Sequence, residues 1–219
     1  DRFDSCCPLY DGRFAAIGTT YNNSGGGYIY ASVMLTVWNS DGTVSWSKWM
    51  EIDGHQEATS QIGTGTYIGA MSRAVAADGS NNVYAVVYKG LSVHMIKFNS
   101  SGTVQWKKNF TDNNGYNRGA TSVLATKSGD IFVTTGSGNG SAILKFNTNG
   151  VLQWTKRLNS LVRLKQVKLD EHENIWVNSA NTGDYVCVNS SGNVVRSLKV
   201  ASNRGTGNSA MSNYNCRDF

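Results

Sequence analysis

Three histidines, a scatter of turn carboxylates, four cysteines and one glycine-rich stretch are the residues here whose chemistry could define a site. His55, His94 and His172 lie far apart in sequence. His94 falls in a strand-like run and His172 in a turn, so each is expected as a satisfied or solvated side chain. Glycoside hydrolysis would need two carboxyl groups flanking the scissile bond. Asp41, Asp78, Asp130, Asp170 and Asp184 instead fall in turns or at strand ends, where Asp bonds its own backbone. The densest acidic run, Asp170-Glu-His-Glu, is expected to be a solvated turn. Gly136-Ser-Gly-Asn-Gly-Ser lacks the lysine and following helix of a phosphate loop and is expected to join two strands. On these grounds the sequence predicts a chain that is not an enzyme, with no catalytic residue, cofactor or metal.

Cys6, Cys7, Cys187 and Cys216 have neither a CxxC nor metal-ligand spacing. A disulfide from Cys216 to Cys6 or Cys7 would tie the two ends together; free thiols in a reducing compartment are the alternative. The net charge of +5 is modest for 219 residues, and the lysines and arginines are scattered. A nucleic-acid partner is therefore not expected. Nor is a membrane, because no apolar run approaches the roughly 20 residues needed to cross one. The chain begins Asp1-Arg2-Phe3, which suggests processing or a longer parent chain.

The elements that must position these residues are set by an internal repeat. Leu35-Thr-Val-Trp-Asn-Ser-Asp-Gly42-Thr-Val-Ser-Trp46 aligns with Ile96-Lys-Phe-Asn-Ser-Ser-Gly102-Thr-Val-Gln-Trp106 and with Leu144-Lys-Phe-Asn-Thr-Asn-Gly150-Val-Leu-Gln-Trp154. A fourth copy, Val186-Cys-Val-Asn-Ser-Ser-Gly192-Asn-Val-Val-Arg196, keeps the turn but has Arg in place of Trp. Each reads as a strand, a tight turn whose Gly takes positive φ, and a second strand alternating with period two. A turn and a β-forming run precede each hairpin, as in Asn81-Asn-Val-Tyr-Ala-Val, and a shorter apolar stretch precedes that.

Four strands per unit, recurring along the chain, predict an all-β fold: a β-propeller of four-stranded antiparallel blades. One sheet cannot cover both of its faces, but sheets packed radially cover one another. Trp46, Trp106 and Trp154 are expected between neighbouring blades. The chain is expected as one domain over 1–219, with blades near 5–50, 70–110, 119–158 and 161–200 and an insertion over 51–70. An extra strand near 208–216 would either close the ring or begin a blade of a larger propeller. Lys48, Lys108 and Lys156 recur on the last strand of three blades. Edge lysines that keep sheets from pairing are the expected role, and a basic ring for an acidic glycan is the other. Tyr21, Tyr28, Tyr30, Tyr67 and Tyr116 sit in or near loops and could stack on sugars.

The Asn-x-x-Gly-x-x-x-Trp motif after an apolar strand resembles the blade signature of quinoprotein-like propellers. With the preceding Ile-Lys-Phe-Asn-Ser-Ser-Gly run it resembles the bacterial propeller repeats known as SBBP, which also occur in tail appendages of marine bacteriophages. The resemblance covers most of residues 70–200. It implies the fold; the quinone- and metal-binding residues of quinoprotein enzymes have no counterpart here. It implies a virion protein of a bacteriophage tail, structural or receptor-facing, multiplied by virion symmetry. Other virion proteins or a longer parent chain would be the partners, with a host-surface glycan as ligand. The alternative is a secreted or cell-surface propeller module that binds carbohydrate or protein.

Overall fold

A computed structural model describes residues 2–23, 29–50, 60–62, 73–89, 92–111, 120–137, 140–158, 161, 164–179 and 184–199. These residues form four antiparallel sheets, each a meander of four strands in sequence order. The first contains β1 (Arg2–Pro8), β2 (Phe14–Asn23), β3 (Ile29–Trp38) and β4 (Val44–Met50), with β5 (Ser60–Ile62) added. The second contains β6 (Arg73–Ala77), β7 (Val83–Lys89), β8 (Ser92–Phe98) and β9 (Val104–Thr111). The third contains β10 (Ala120–Ala125), β11 (Ile131–Ser137), β12 (Gly140–Phe146) and β13 (Leu152–Leu158). The fourth contains β14 (Leu164–Leu169), β15 (Ile175–Ser179), β16 (Tyr185–Val188) and β17 (Val194–Leu198). No helix occurs among the described residues. The fold is the β-propeller blade repeat.

The Asn-x-x-Gly hairpins form for a local reason. In each, the Gly amide bonds back to the Asn carbonyl while the Asn amide takes the carbonyl one residue beyond the Gly. Gly42, Gly102, Gly150 and Gly192 hold φ between 71° and 85°, and a register shift follows in the pairing. A left-handed residue followed by a bulge is the standard way to join strands of matching twist. Asn99, Asn147 and Asn189 add side-chain bonds to amides two and four residues on.

Three apolar cores lie between successive sheets. Ala15, Ile17, Leu35 and Val37 of the first sheet meet Val75, Val83, Ala85 and Phe98 of the second. The opposite face of the second sheet, with Tyr84, Val86 and Met95, meets Ile131, Val133 and Phe146 of the third. Phe132 and Ile143 then meet Ile175, Val177 and Val188 of the fourth. Each sheet thus has a leading face toward the preceding sheet and a trailing face toward the next. The innermost strands β1, β6, β10 and β14 follow one another around the inside of the arc.

β5 lies inside the stretch expected as an insertion. β3 runs ten residues and β4 seven, so Ile29, Tyr30 and Ala31 extend past the end of β4. Their open backbone edge is where Ser60–Ile62 pairs. The rest of 51–70 and the expected strand at 208–216 lie outside the described residues.

Candidate functional site

The strongest recurring geometry is at the seams between sheets, where two donors converge on one carbonyl. The Trp46 indole N–H donates to the Ser100 carbonyl in the next sheet's hairpin turn at 3.2 Å. Trp106 does the same to Thr148 at 3.1 Å and Trp154 to Ser190 at 3.0 Å. A cation joins each indole: Arg13 on Ser100 at 2.8 Å, Lys97 on Thr148 at 3.3 Å and Lys145 on Ser190 at 3.4 Å. The indole rings also lie on the turn glycine. A methyl built on Gly102 would stand 2.7 Å from the Trp46 ring; on Gly150, 3.1 Å from Trp106; on Gly192, 3.2 Å from Trp154.

The fourth sheet departs at both donor positions. Arg196 stands where the indole would be and is exposed; Cys187 stands where Lys97 and Lys145 lie and is buried. Sequence reasoning found the indole and its glycine but not the second donor. Lys97 and Lys145 sit two residues before the turn Asn, so a signal was present there. Val37 fills that place in the first sheet, and Arg13 reaches the same carbonyl from the β1–β2 turn, held by Asp11 at 2.7 Å.

Asp41, Asp78 and Asp170 bond the backbone of their own turns. Asp78, buried, accepts from the amides of Ser80 and Asn82 and from the Tyr84 hydroxyl at 2.7 Å. Burial first, and then the bond to the Asp78 carboxylate and its charge, hold the Tyr84 phenol far above its ordinary range, against a lowering contact with Thr148. Asp130 pairs with Lys145 at 2.8 Å. Partial burial pushes the Asp170 carboxyl up, but bonds from the Asn174 and Trp176 side chains and the Asn174 and His172 amides outweigh it, leaving a pKa of about 2. The folded pKa is below the unfolded one, so this group's contribution is present above about pH 4 and is lost as pH falls toward 2. Asp170→Asn should therefore flatten the acid limb of the stability profile between those values, read from melting temperature against pH. An unchanged limb would show the bonds are not held in solution.

Adjacent thiols on β1 point to opposite faces. Cys6 is exposed, while Cys7 packs into the core between the first two sheets, where burial and then the neighbouring Cys6 push its thiol up to about 12. Cys216 lies outside the described residues. Brief alkylation at pH 8 should label Cys6 and leave Cys7 and Cys187 unmodified until the chain unfolds. Peptide mass mapping reads this; labelling of Cys7 at the rate of Cys6 would contradict its burial.

The innermost strands line a groove of about 560 Å³. Ser5 and Cys6 of β1, Ser122 of β10 and Gln166 and Lys168 of β14 give its wall hydrogen-bonding groups, set among small apolar residues of β6. Lys168 is the single charged residue among the described residues lining it. Among the described residues no three His, Cys, Asp or Glu side chains gather as a metal site would require. His94 is buried on β8 and His172 is exposed. Lys48, Lys108 and Lys156 lie on the outermost strands β4, β9 and β13. His55, Tyr28, Tyr67 and Tyr116 lie outside the described residues, as do the side chains of Tyr21 and Tyr30.

No protein-family model matches this chain, and no curated protein matches it in sequence. Solved structures do match in fold. A protein of unknown function from Bacteroides caccae superposes with a TM-score of 0.57 at 15% identity, covering 90% of this chain and 61% of that one. A streptogramin B lyase gives 0.53 at 11% identity, covering 88% and 56%. The C-terminal WD40 domain of Sif2 gives 0.52 at 12% identity, covering 92% and 62%. This chain thus spans less than two thirds of each.

These likenesses establish the propeller fold; they also overturn the expectation that the chain is not an enzyme. A lyase is built on the same arrangement of sheets. The missing constellation in sequence is therefore no ground for excluding catalysis, because a propeller can gather side chains from loops remote in sequence.

Proposed function

We propose that the chain is a propeller component of a bacteriophage tail appendage, structural or receptor-facing. The observation that carries this reading is the repeated seam. Three junctions each combine a packed indole, a glycine that admits it and two donors on one carbonyl. Such an arc is a rigid platform that holds its end loops in fixed relative positions. Resemblance of the blade motif to propeller repeats of phage tails supplies the context. Copies arranged by virion symmetry would add avidity to weak contacts with a host-surface glycan.

Quantitative mass spectrometry of purified particles tests this. A fixed stoichiometry with other tail proteins is expected; absence from particles overturns the assignment. The groove wall of Ser5, Ser122, Gln166 and Lys168 favours a second reading, a secreted or cell-surface module that binds carbohydrate or protein. Recovery of the chain from the culture medium or cell envelope, with binding on a glycan array, would favour that one.

A further inference from the structure

Charge is segregated between two parts of the arc. In each sheet the turns joining first to second and third to fourth strands lie at the same end, because a meander reverses at every turn. Those ends are held together across sheets, as Tyr10 donates its amide to Asn81 and Gly79 donates to the Lys127 carbonyl. Asp11, Asp41, Asp78, Asp130, Asp170, Glu171 and Glu173 all belong to these turns. The outer half of every sheet is the opposite. Neither β3 and β4, β8 and β9, β12 and β13, nor β16 and β17 contains an Asp or Glu. The outermost of these strands carry Lys48, Lys107, Lys108, Lys156, Arg157 and Arg196, and all but Lys156 are exposed.

Packing accounts for part of this. Lys48, Lys108 and Lys156 each stand two residues after a seam indole, on the same face as that ring. The stem of Lys108 crosses to the next sheet, where a methyl built on Gly150 would lie 3.0 Å from its Cγ. Such a stem covers the outer edge of the seam while its ammonium stays in water. A cation on an outermost strand also keeps sheets from pairing edge to edge. Neither role needs the neighbouring Lys107 and Arg157, which period two sends to the other face of their strands. Exposed Asn109 and Thr155 lie beside these cations, and Trp49, 45% exposed, follows Lys48.

We propose that the outer rim of the arc binds an acidic polysaccharide, laid across successive sheets with its acid groups against Lys48, Lys107–Lys108 and Lys156–Arg157. This deepens the glycan-facing role above and rests on it for the source of the ligand; what it adds is the glycan's charge and the surface that meets it. Spacing separates this polymer from a nucleic acid. Packed sheets stand about 10 Å apart, so the rim offers one or two cations per step of that size. Duplex DNA presents a charge every ~1.7 Å of its axis, far denser than the rim can match. Bases would also need rings to stack on, and among the aromatics of the outermost strands only Trp49 is exposed. Acid groups separated by sugar rings fit the wider interval, with sugar hydroxyls meeting the amide and hydroxyl side chains between the cations. Each contact is weak, and repetition along the polymer supplies the affinity.

Fluorescence anisotropy of labelled hyaluronate, which carries one carboxylate per two sugars, tests this at low ionic strength. Hyaluronate should bind, neutral dextran should not, and added salt should release the complex. Compared per charged group, hyaluronate should bind at least as tightly as duplex DNA. Lys107→Glu and Arg157→Glu should each weaken hyaluronate binding about fivefold or more. Lys127→Glu makes the same change in net charge at an exposed turn away from the rim, and should stay within about twofold of the parent. Melting temperatures check that each variant is folded. No hyaluronate binding, equal binding of dextran, tighter binding of DNA, or equal losses in the Lys127 and rim variants would each overturn the proposal. Absence of the chain from virions would sink the tail assignment and leave these results standing. A neutral-glycan hit on an array without hyaluronate binding would sink this proposal and leave the glycan-facing role.

Discussion

Trp106→Ala is expected to lower the unfolding free energy by about 3 kcal/mol, the low end for truncating a large aromatic, because the ring is half-buried. The indole packs on the core between the second and third sheets, 6.1 Å from the Tyr84 ring and against Gly150. Alanine removes that area and leaves a cavity in a wall made of two separate sheets. It also removes the bond to the Thr148 carbonyl, although Lys97 continues to donate there. Trp106→Phe, which keeps most of the ring but not the N–H, should cost about 1 kcal/mol. Trp49 lies on β4 and is 45% exposed, so Trp49→Ala should stay within about 0.5 kcal/mol of the parent. Urea unfolding followed by far-ultraviolet circular dichroism reads all three. Equal losses at Trp106 and Trp49 would remove the indole from the seam.

Gly102→Ala should cost about 3 kcal/mol and Gly42→Ala about 1 kcal/mol. Both glycines hold φ near +85°, so both variants carry the same left-handed strain. They differ in what the new methyl meets. At Gly102 it would stand 2.7 Å from Trp46 Cδ2 and 3.0 Å from Cγ; at Gly42 it meets nothing described within 4 Å. The indole is held by its own bond to Ser100 and cannot yield without breaking it. The difference between the variants therefore isolates the seam contact from the turn. A difference near zero would mean that the ring does not lie on that glycine.

Legibility in the sequence followed how local each interaction is. The hairpins could be read because Asn99 and Gly102, and their counterparts, satisfy bonds within one turn. The seam indoles could be read because period two places Trp46, Trp106 and Trp154 on the same face. Arg13 could not be found this way. It reaches Ser100 across 87 residues, and only packing brings the two together. β5 was missed because Ser-Gln-Ile shows no alternation and pairs only where β3 outruns β4. The groove was invisible for a similar reason, since its wall takes one or two polar residues from each of several separate strands. Arg196 was noted as a departure from the Trp pattern.

Hydrogen exchange at the tryptophan indole N–H groups, resolved by nitrogen-15 correlation spectroscopy, tests most directly whether the sheets are held by these seams. Trp46, Trp106 and Trp154 should be protected far beyond exposed Trp49, each opening only when its seam opens. Exchange of those three at the rate of Trp49 would mean that the sheets do not latch as described.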